Sequence, residues 1–356
     1  MPMATERNTY TLVDILGEPL TRQEALSFIH QNTDEDDFQL FQQFDDLYRD
    51  KLLKFIMGKN GLAITYDKVF RQVMMPGDTS GRLEHFLSSL LEEQVEIEQI
   101  LPREGNLLFE EGSFVIADII VRLENGSTIN VEIQKIGYNF PGERGSCYTA
   151  DMIMRQYNYQ KNNNINFSYN LMKPVYLIVF MEKSPALFHT TNQYIHKKVS
   201  YFDSGIPLKL LDNITYISLD TFRELGQNIK TEQDAWLKFL TEDDPDEIVI
   251  FVNQYPEFLP LYQDLIKFRQ NPKEMIYMFS EALRQMDKNM ERYMVEEMQK
   301  ELEDLKISIQ ENRSLLKEKE SMLQEKDSML QEKDSMLQEK DKLIQELKQK
   351  IAQQNF

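Results

Sequence analysis

The sequence predicts an α/β fold in the order helix, three strands, helix, strand, with further helices at both ends. Residues 114–136, FVIADIIVRLENGSTINVEIQKI, set two alternating strand-like runs around Asn125-Gly126, a strong hairpin signal. A second observation is Val175 to Phe180, apolar on both alternating faces, which follows a helical stretch from about Arg144 to Gln160; a central strand entered by a helical crossover has this pattern. The third is a heptad array from about residue 299, in which SMLQEKD recurs as Ser321 to Asp327, Ser328 to Asp334 and Ser335 to Asp341.

Residues 1–60 read as a helical N-terminal extension. Apolar residues recur at helical spacing over Thr21 to His30 and Phe38 to Phe55, with an acidic link at Asp34 to Asp37. A central domain over 61–245 follows the Gly58 to Gly61 turn. Asp67 is expected to cap a short helix, and after Asp78 to Ser80 a longer one carries Leu83, Phe86, Leu87, Leu90 and Leu91 on its core face. Leu107 to Glu110 is expected as the first strand. On the helix from Arg144, one stripe holds Arg144, Tyr148, Asp151 and Arg155; Ala150, Ile153, Met154 and Tyr157 form the opposite stripe, expected in the core. Arg155 is read as solvated and paired with Asp151. A strand at Ile214 to Leu219 and a helix around Trp236, a packing anchor, complete the domain.

Residues 246–298 read as helices joined at Pro256, Pro260 and Pro272, and 299–356 as a long heptad-repeat helix. Leu302, Ile309, Leu316, Leu323, Leu330, Leu337, Ile344 and Ile351 hold one seam position, while its usual partner holds Asn312, Lys319, Lys326, Lys333 and Lys340. Lys in the seam weakens a coiled coil, so the expectation is weak self-association, with a solitary helix as the alternative.

The hairpin decides where its two acids stand. A two-residue Asn-Gly turn would send Asp118 and Glu132 to opposite faces. A three-residue loop, Glu124-Asn125-Gly126 with Gly126 left-handed, pairs Leu123 with Ser127 and sets Asp118 across from Glu132. That register gives one apolar face (Ile119, Val121 and Leu123 against Ile129, Val131 and Ile133). Its other face carries Asp118 and Arg122 against Asn130, Glu132 and Gln134 and is expected to border a cleft. Opposed carboxylates repel unless a cation or shared proton lies between them, and hard oxygen ligands suit Mg²⁺ or Mn²⁺. The structural alternative is an acid pair on a solvated sheet face.

Composition narrows the function classes. Hydrophobic residues make up 41% and charged residues 28%, as in a globular chain with much helical surface. The single Cys147 excludes an intramolecular disulfide. MPMATERNTY lacks a basic-then-apolar leader and no apolar run could span a bilayer, so a soluble cytoplasmic protein with no membrane partner is expected. A net charge of −19 argues against purely electrostatic nucleic-acid binding, though a local basic patch and a bound metal can work within an acidic protein. CxxC pairs, HExxH, a phosphate-binding Gly-rich loop and GxSxG are all absent, and the four His are scattered.

The spacing of Asp118 in FVIADIIV, Glu132 and Gln134 in VEIQK, and Arg144 and Tyr148 in ERGSCYTADM resembles the PD-(D/E)xK nuclease superfamily. More narrowly, it resembles its branch of recombination-promoting nucleases or putative transposases. Tyr66-Asp67-Lys68-Val69-Phe70 resembles the family's opening Asp-x-x-Phe segment, and Gln156 falls near its helical Gln. The resemblance runs from about residue 60 to about 245 and implies a restriction-endonuclease-like αβββαβ core. It also implies a metal-dependent DNA endonuclease serving DNA mobility or recombination, with DNA as partner. Asp118, Glu132 and the Ile133 carbonyl would then hold Mg²⁺ or Mn²⁺. Gln134 stands where the commoner motif has Lys; its amide orients a water or phosphate oxygen but brings no charge. Arg144 is the candidate for that charge, with Tyr148 beside it, whereas Lys135 alternates to the opposite face. The competing reading is a decayed nuclease fold acting as an interaction or scaffold protein through its coiled-coil tail.

Overall fold

A computed structural model describes residues 9–101, 119–135, 140, 142–225 and 228–354 of the chain. The N-terminal helical pattern resolves into α1 (Leu12–Leu16), α2 (Arg22–Gln31), α3 (Glu35–Gln43) and α4 (Asp46–Ile56). Thr11 and Thr21 close capping boxes with Asp14 and Glu24 at the starts of α1 and α2. Where the spacing predicts one helix over Phe38 to Phe55, the chain breaks at Phe44, and the Asp45 carboxylate accepts from the Tyr48 N–H (2.9 Å) to start α4. The acidic link has a similar explanation: Asp34 caps α3, and Lys273 reaches Asp34 and Asp37 at 2.6 and 2.8 Å.

Next come α5 (Asp67–Met74), α6 (Gly81–Leu91) and β1 (Ile97–Leu101), then the hairpin strands β2 (Ile119–Leu123) and β3 (Thr128–Gln134). The N-cap position of α5 is Tyr66, not Asp67 as expected; Asp67 is its first helical residue. The strand expected at Leu107 to Glu110 lies outside the described residues. The described strand before the hairpin is β1, whose acid Glu98 and polar Gln99 hide its alternation. α7 (Gly142–Asn163) leads to β4 (Val175–Met181), β5 (Ile195–Lys197) and β6 (Asp212–Ser218). Then follow α8 (Leu219–Glu224), α9 (Glu232–Thr241), α10 (Pro245–Gln254), α11 (Leu259–Arg269) and α12 (Pro272–Gln354).

The strands form one mixed sheet in the order β1-β2-β3-β4-β6-β5. β1, β2 and β3 are an antiparallel meander, β4 joins β3 in parallel through α7, β6 is parallel to β4, and β5 closes the edge antiparallel. Central β4 is buried on both faces, as its two-sided apolar run requires. Ile119, Val121, Ile129, Val131, Ile178, Phe180 and Ile217 face the larger core. There Phe86 of α6 stacks on Phe180 at 5.6 Å and meets Trp236 of α9 at 5.3 Å, which makes Trp236 the expected anchor. α7 covers the other face, packing Tyr148 and Met152 on Val175, Leu177, Val179 and Met181.

The N-terminal helices share the larger core with the sheet and with the helices after residue 245. One side chain ties them: the Arg269 guanidinium donates to the carbonyls of Ile56, Leu16 and Glu18 at 2.5, 2.6 and 2.6 Å. Gly58 takes φ +70° beside that guanidinium, where an added Cβ would stand 2.6 Å from an Arg269 nitrogen. The chain divides into two units, Met1–Met290 and Glu291–Phe356. In the second, the helix leaves Leu302, Ile309, Leu316, Leu323, Leu330, Leu337 and Ile344 exposed. Among the described residues no helix is long and apolar enough to cross a membrane.

Candidate active site

The hairpin adopts the bulged register. The Leu123 N–H donates to Ser127 O (2.9 Å) and the Gly126 N–H to Leu123 O (2.8 Å), with Gly126 at φ +86°. Ile119 pairs with Val131, Val121 with Ile129 and Arg122 with Thr128. This places Thr128, Asn130, Glu132 and Gln134 on one face of β3, in register with Val175, Leu177, Val179 and Met181 of β4, beneath α7. Asp118, expected opposite Glu132, lies outside the described residues.

Glu132 is completely buried, and Asn130 and Gln134 are each 2% exposed, so this strip is covered where the sequence led us to expect a cleft border. The carboxylate is held by its own strand neighbours: Asn130 Nδ2 donates to Oε1 at 2.9 Å, and Gln134 Nε2 approaches Oε2 at 3.4 Å. Gln134 thus addresses the acid directly. Asn130 Oδ1 is buried and has no hydrogen-bond donor among the described residues. A buried carboxylate beside an orphaned amide oxygen is an all-oxygen donor set, which fits a hard divalent cation better than Zn²⁺. Among the described residues no group of three His, Cys, Asp or Glu side chains could hold a metal, and Asp118 is outside that set. Ile133 turns its side chain into the larger core, which leaves its main chain as its possible contribution.

Arg144 and Tyr148 come together one turn apart at the start of α7: Arg144 donates to the Tyr148 hydroxyl at 3.0 Å, and its guanidinium lies over Phe140 (4.8 Å) and Tyr148 (5.4 Å). Tyr148 shares the smaller core with Val179, the register partner of Glu132. The buried stripe of α7 is Gly145, Tyr148, Thr149 and Met152 rather than Ala150, Ile153, Met154 and Tyr157. The reason is proximity to the sheet: a Cβ on Gly145 would stand 2.7 Å from the Tyr216 hydroxyl, so the packed face carries the small residues Gly145 and Thr149 beside Tyr148 and Met152. Arg155 pairs with Asp151 at 2.7 Å, as expected. Gln156 ties Gly126 O (3.4 Å) to the Lys173 N–H (2.5 Å) and so braces the hairpin loop against the entry to β4.

Sequence reasoning turned Lys135 away from Gln134 but missed its partners. Its ammonium, with the side chain 4% exposed, donates to Glu182 Oε2 (2.5 Å) and Thr65 Oγ1 (2.6 Å) and sits 3.7 Å from the centre of the Tyr66 ring. Burial by itself raises the Glu182 carboxyl, but the Lys135 charge and the Thr65 hydroxyl outweigh it and hold the group down to about 2. Burial also pulls Lys135 below its ordinary value, against the pull of Glu182. We take the charged pair as the neutral-pH state, because discharging Lys135 would remove what keeps Glu182 ionised. Lys135 is therefore committed to anchoring the segment before α5 and does not stand in for the Lys of the commoner motif. No linear signal links Thr65, Lys135 and Glu182.

Two cavities lie nearby. One of about 710 Å³, lined by Arg82, His85, Trp236 and Tyr255, sits among α6, α9 and α11, on the side of the sheet away from Glu132. Another of about 560 Å³ opens beside the first turn of α7 and is lined by Gly142, Ser146, His196, Lys197, Lys198 and Tyr216.

A family model described as PD-(D/E)XK nuclease family transposase matches residues 65–312. No curated protein and no solved structure matches the chain. The matched span runs from the segment held by Lys135, through the hairpin with Glu132 and Gln134 and the helix with Arg144 and Tyr148, into α12. The chain belongs to the PD-(D/E)XK nuclease family of transposases.

Proposed function

We propose that the chain is a divalent-metal-dependent DNA endonuclease of the transposase or recombination-promoting type, built on a restriction-endonuclease-like αβββαβ core. The observation that carries this reading is Glu132: a fully buried carboxylate, met by amides on both sides, beside the Asn130 amide oxygen, which has no donor among the described residues. Asp118, Glu132 and the Ile133 carbonyl would hold Mg²⁺ or Mn²⁺. When bound, the ion supplies a water acidified toward hydroxide and neutralises charge on the scissile phosphate.

The residues of the chain do the rest. Asn130 and Gln134 fix the carboxylate in one orientation, and Gln134 keeps a second amide hydrogen for a water or phosphate oxygen. Arg144, held by Tyr148 and Phe140, supplies the fixed positive charge that Gln134 lacks. The exposed leucine seam of the second unit supports self-association as the role of the tail. A second reading, a decayed nuclease acting as a scaffold through that seam, is favoured by the same exposed leucines.

Calorimetric titration of the full chain with Mn²⁺ separates the two. The nuclease reading expects saturable binding that Asp118→Asn and Glu132→Gln each abolish. Binding that survives both substitutions, or a parent chain that binds no metal, leaves the scaffold reading.

A further inference from the structure

Between Met152 and Phe202 the only carboxylate in the sequence is Glu182, and that group is buried against Lys135. The whole chain carries 59 Asp and Glu against 40 Lys and Arg, so a stretch this long without free acid stands against the general composition. Its first part, the second half of α7 and the turn at Tyr169–Leu171, presents aromatic rings rather than burying them. Tyr169 is 75% exposed and Tyr159 50%. Phe167 meets Tyr157 and Tyr169 at 5.3 Å each, and Tyr157 and Tyr169 lie nearly parallel at 17°.

Cations lie on these rings. The Arg122 guanidinium lies over Tyr159 at 4.9 Å and the Lys161 ammonium over Tyr157 at 5.3 Å. Among the described residues neither cation is held in a salt bridge, whereas nearby Arg155 is paired with Asp151. Arg122 is the register partner of Thr128, so it stands on the sheet face that carries Glu132, four residues along the strand. At a rise of about 3.3 Å per residue that is roughly 13 Å.

We propose that this aromatic and cationic platform binds unpaired nucleotides of single-stranded DNA beside the Glu132 site. For that placement it rests on the nuclease reading. Bases stack on exposed rings whatever their identity, and cations not spent on carboxylates take the phosphates between them. A duplex keeps its bases stacked on one another and offers the rings nothing. A protein partner could cover Tyr159 and Tyr169, but it would have no need of a stretch of chain so poor in carboxylates.

The test is fluorescence anisotropy of a labelled twelve-nucleotide dT strand with the full-length chain in EDTA, against a duplex of equal length. Binding should favour dT. Tyr159→Ala and Tyr169→Ala should each weaken it about tenfold, while Tyr159→Phe and Tyr169→Phe should keep it, because stacking needs the ring and not the hydroxyl. Arg122→Gln with Lys161→Gln should reduce the slope of log affinity against log salt by about 1.4. Unchanged dT affinity in both alanine variants, a preference for duplex, or no binding of dT overturns the proposal. Self-association lost in the alanine variants together with absent dT binding would assign the rings to a protein contact instead. Because EDTA removes metal, a failure of the Glu132 site appears in the Mn²⁺ titration and not in this measurement.

Discussion

Replacing Lys135 with Met leaves the Glu182 carboxylate buried without its cation, and the cost can be worked from the structure. Glu182 is 17% exposed at the side chain and Lys135 4%, so solvent screens the pair little. The Glu182 carboxyl is held at about 2 against an ordinary 4.5, which at about 1.4 kcal/mol per pKa unit corresponds to about 3 kcal/mol. The burial that lowers Lys135 offsets part of this, whereas an unpaired buried charge adds to the loss in the variant. We therefore expect Lys135→Met to cost about 3–5 kcal/mol at pH 7. The double variant Lys135→Met with Glu182→Met should cost clearly less than the sum of the single changes, because two apolar chains replace two charges. Because the folded carboxyl titrates below its unfolded value, the stability it contributes is complete above about pH 4.5 and is lost as pH falls toward 2. Urea unfolding followed by the fluorescence of Trp236, the single Trp and a core residue of the first unit, reads both effects. Single variants within about 1 kcal/mol of the parent, or strict additivity in the double variant, would refute the reasoning.

Further expectations follow from other contacts. Gly145→Ala, which would favour an isolated helix, should destabilise by about 1–3 kcal/mol in urea because its Cβ meets the Tyr216 hydroxyl, and Gly145→Ala with Tyr216→Phe should recover much of the loss. Arg269→Met removes three carbonyl contacts that join the N-terminal helices to α11; we expect a loss of about 3 kcal/mol and early protease cleavage before residue 60. Phe86→Ala should cost about 3–5 kcal/mol by the same unfolding assay, since the ring fills the space between Phe180 and Trp236. Deleting residues 299–356 should abolish self-association in sedimentation while leaving Mn²⁺ binding unchanged.

The hairpin was the most legible part of the molecule. Asn125-Gly126 and the alternation on either side determine the register, since a slip of one residue would turn Ile129, Val131 and Ile133 out of the core. β4 was legible for the same kind of reason, being apolar on both faces. Strand β1 was not, because an edge strand is free to carry acids such as Glu98, and β5 is too short for any period to show. The packed face of α7 was misjudged because bulk is a poor guide where a helix must approach a sheet closely: Gly145 and Thr149 pack there, and Met154 is left exposed. The acid site was legible in Glu132 and Gln134 but not in its burial, which depends on α7 covering the sheet. Thr65 and Glu182 are 70 and 47 residues from Lys135, and no local pattern joins them.

Phosphodiester cleavage at Glu132 is read most directly by the nicking of supercoiled plasmid. The full-length chain is incubated with Mg²⁺ or Mn²⁺ beside Asp118→Ala and Glu132→Ala, each checked for native Trp236 emission. The parent should convert supercoiled to open-circular DNA, and both variants should lose this conversion. A parent that leaves the plasmid intact, or variants that nick as fast as the parent, would contradict cleavage at Glu132.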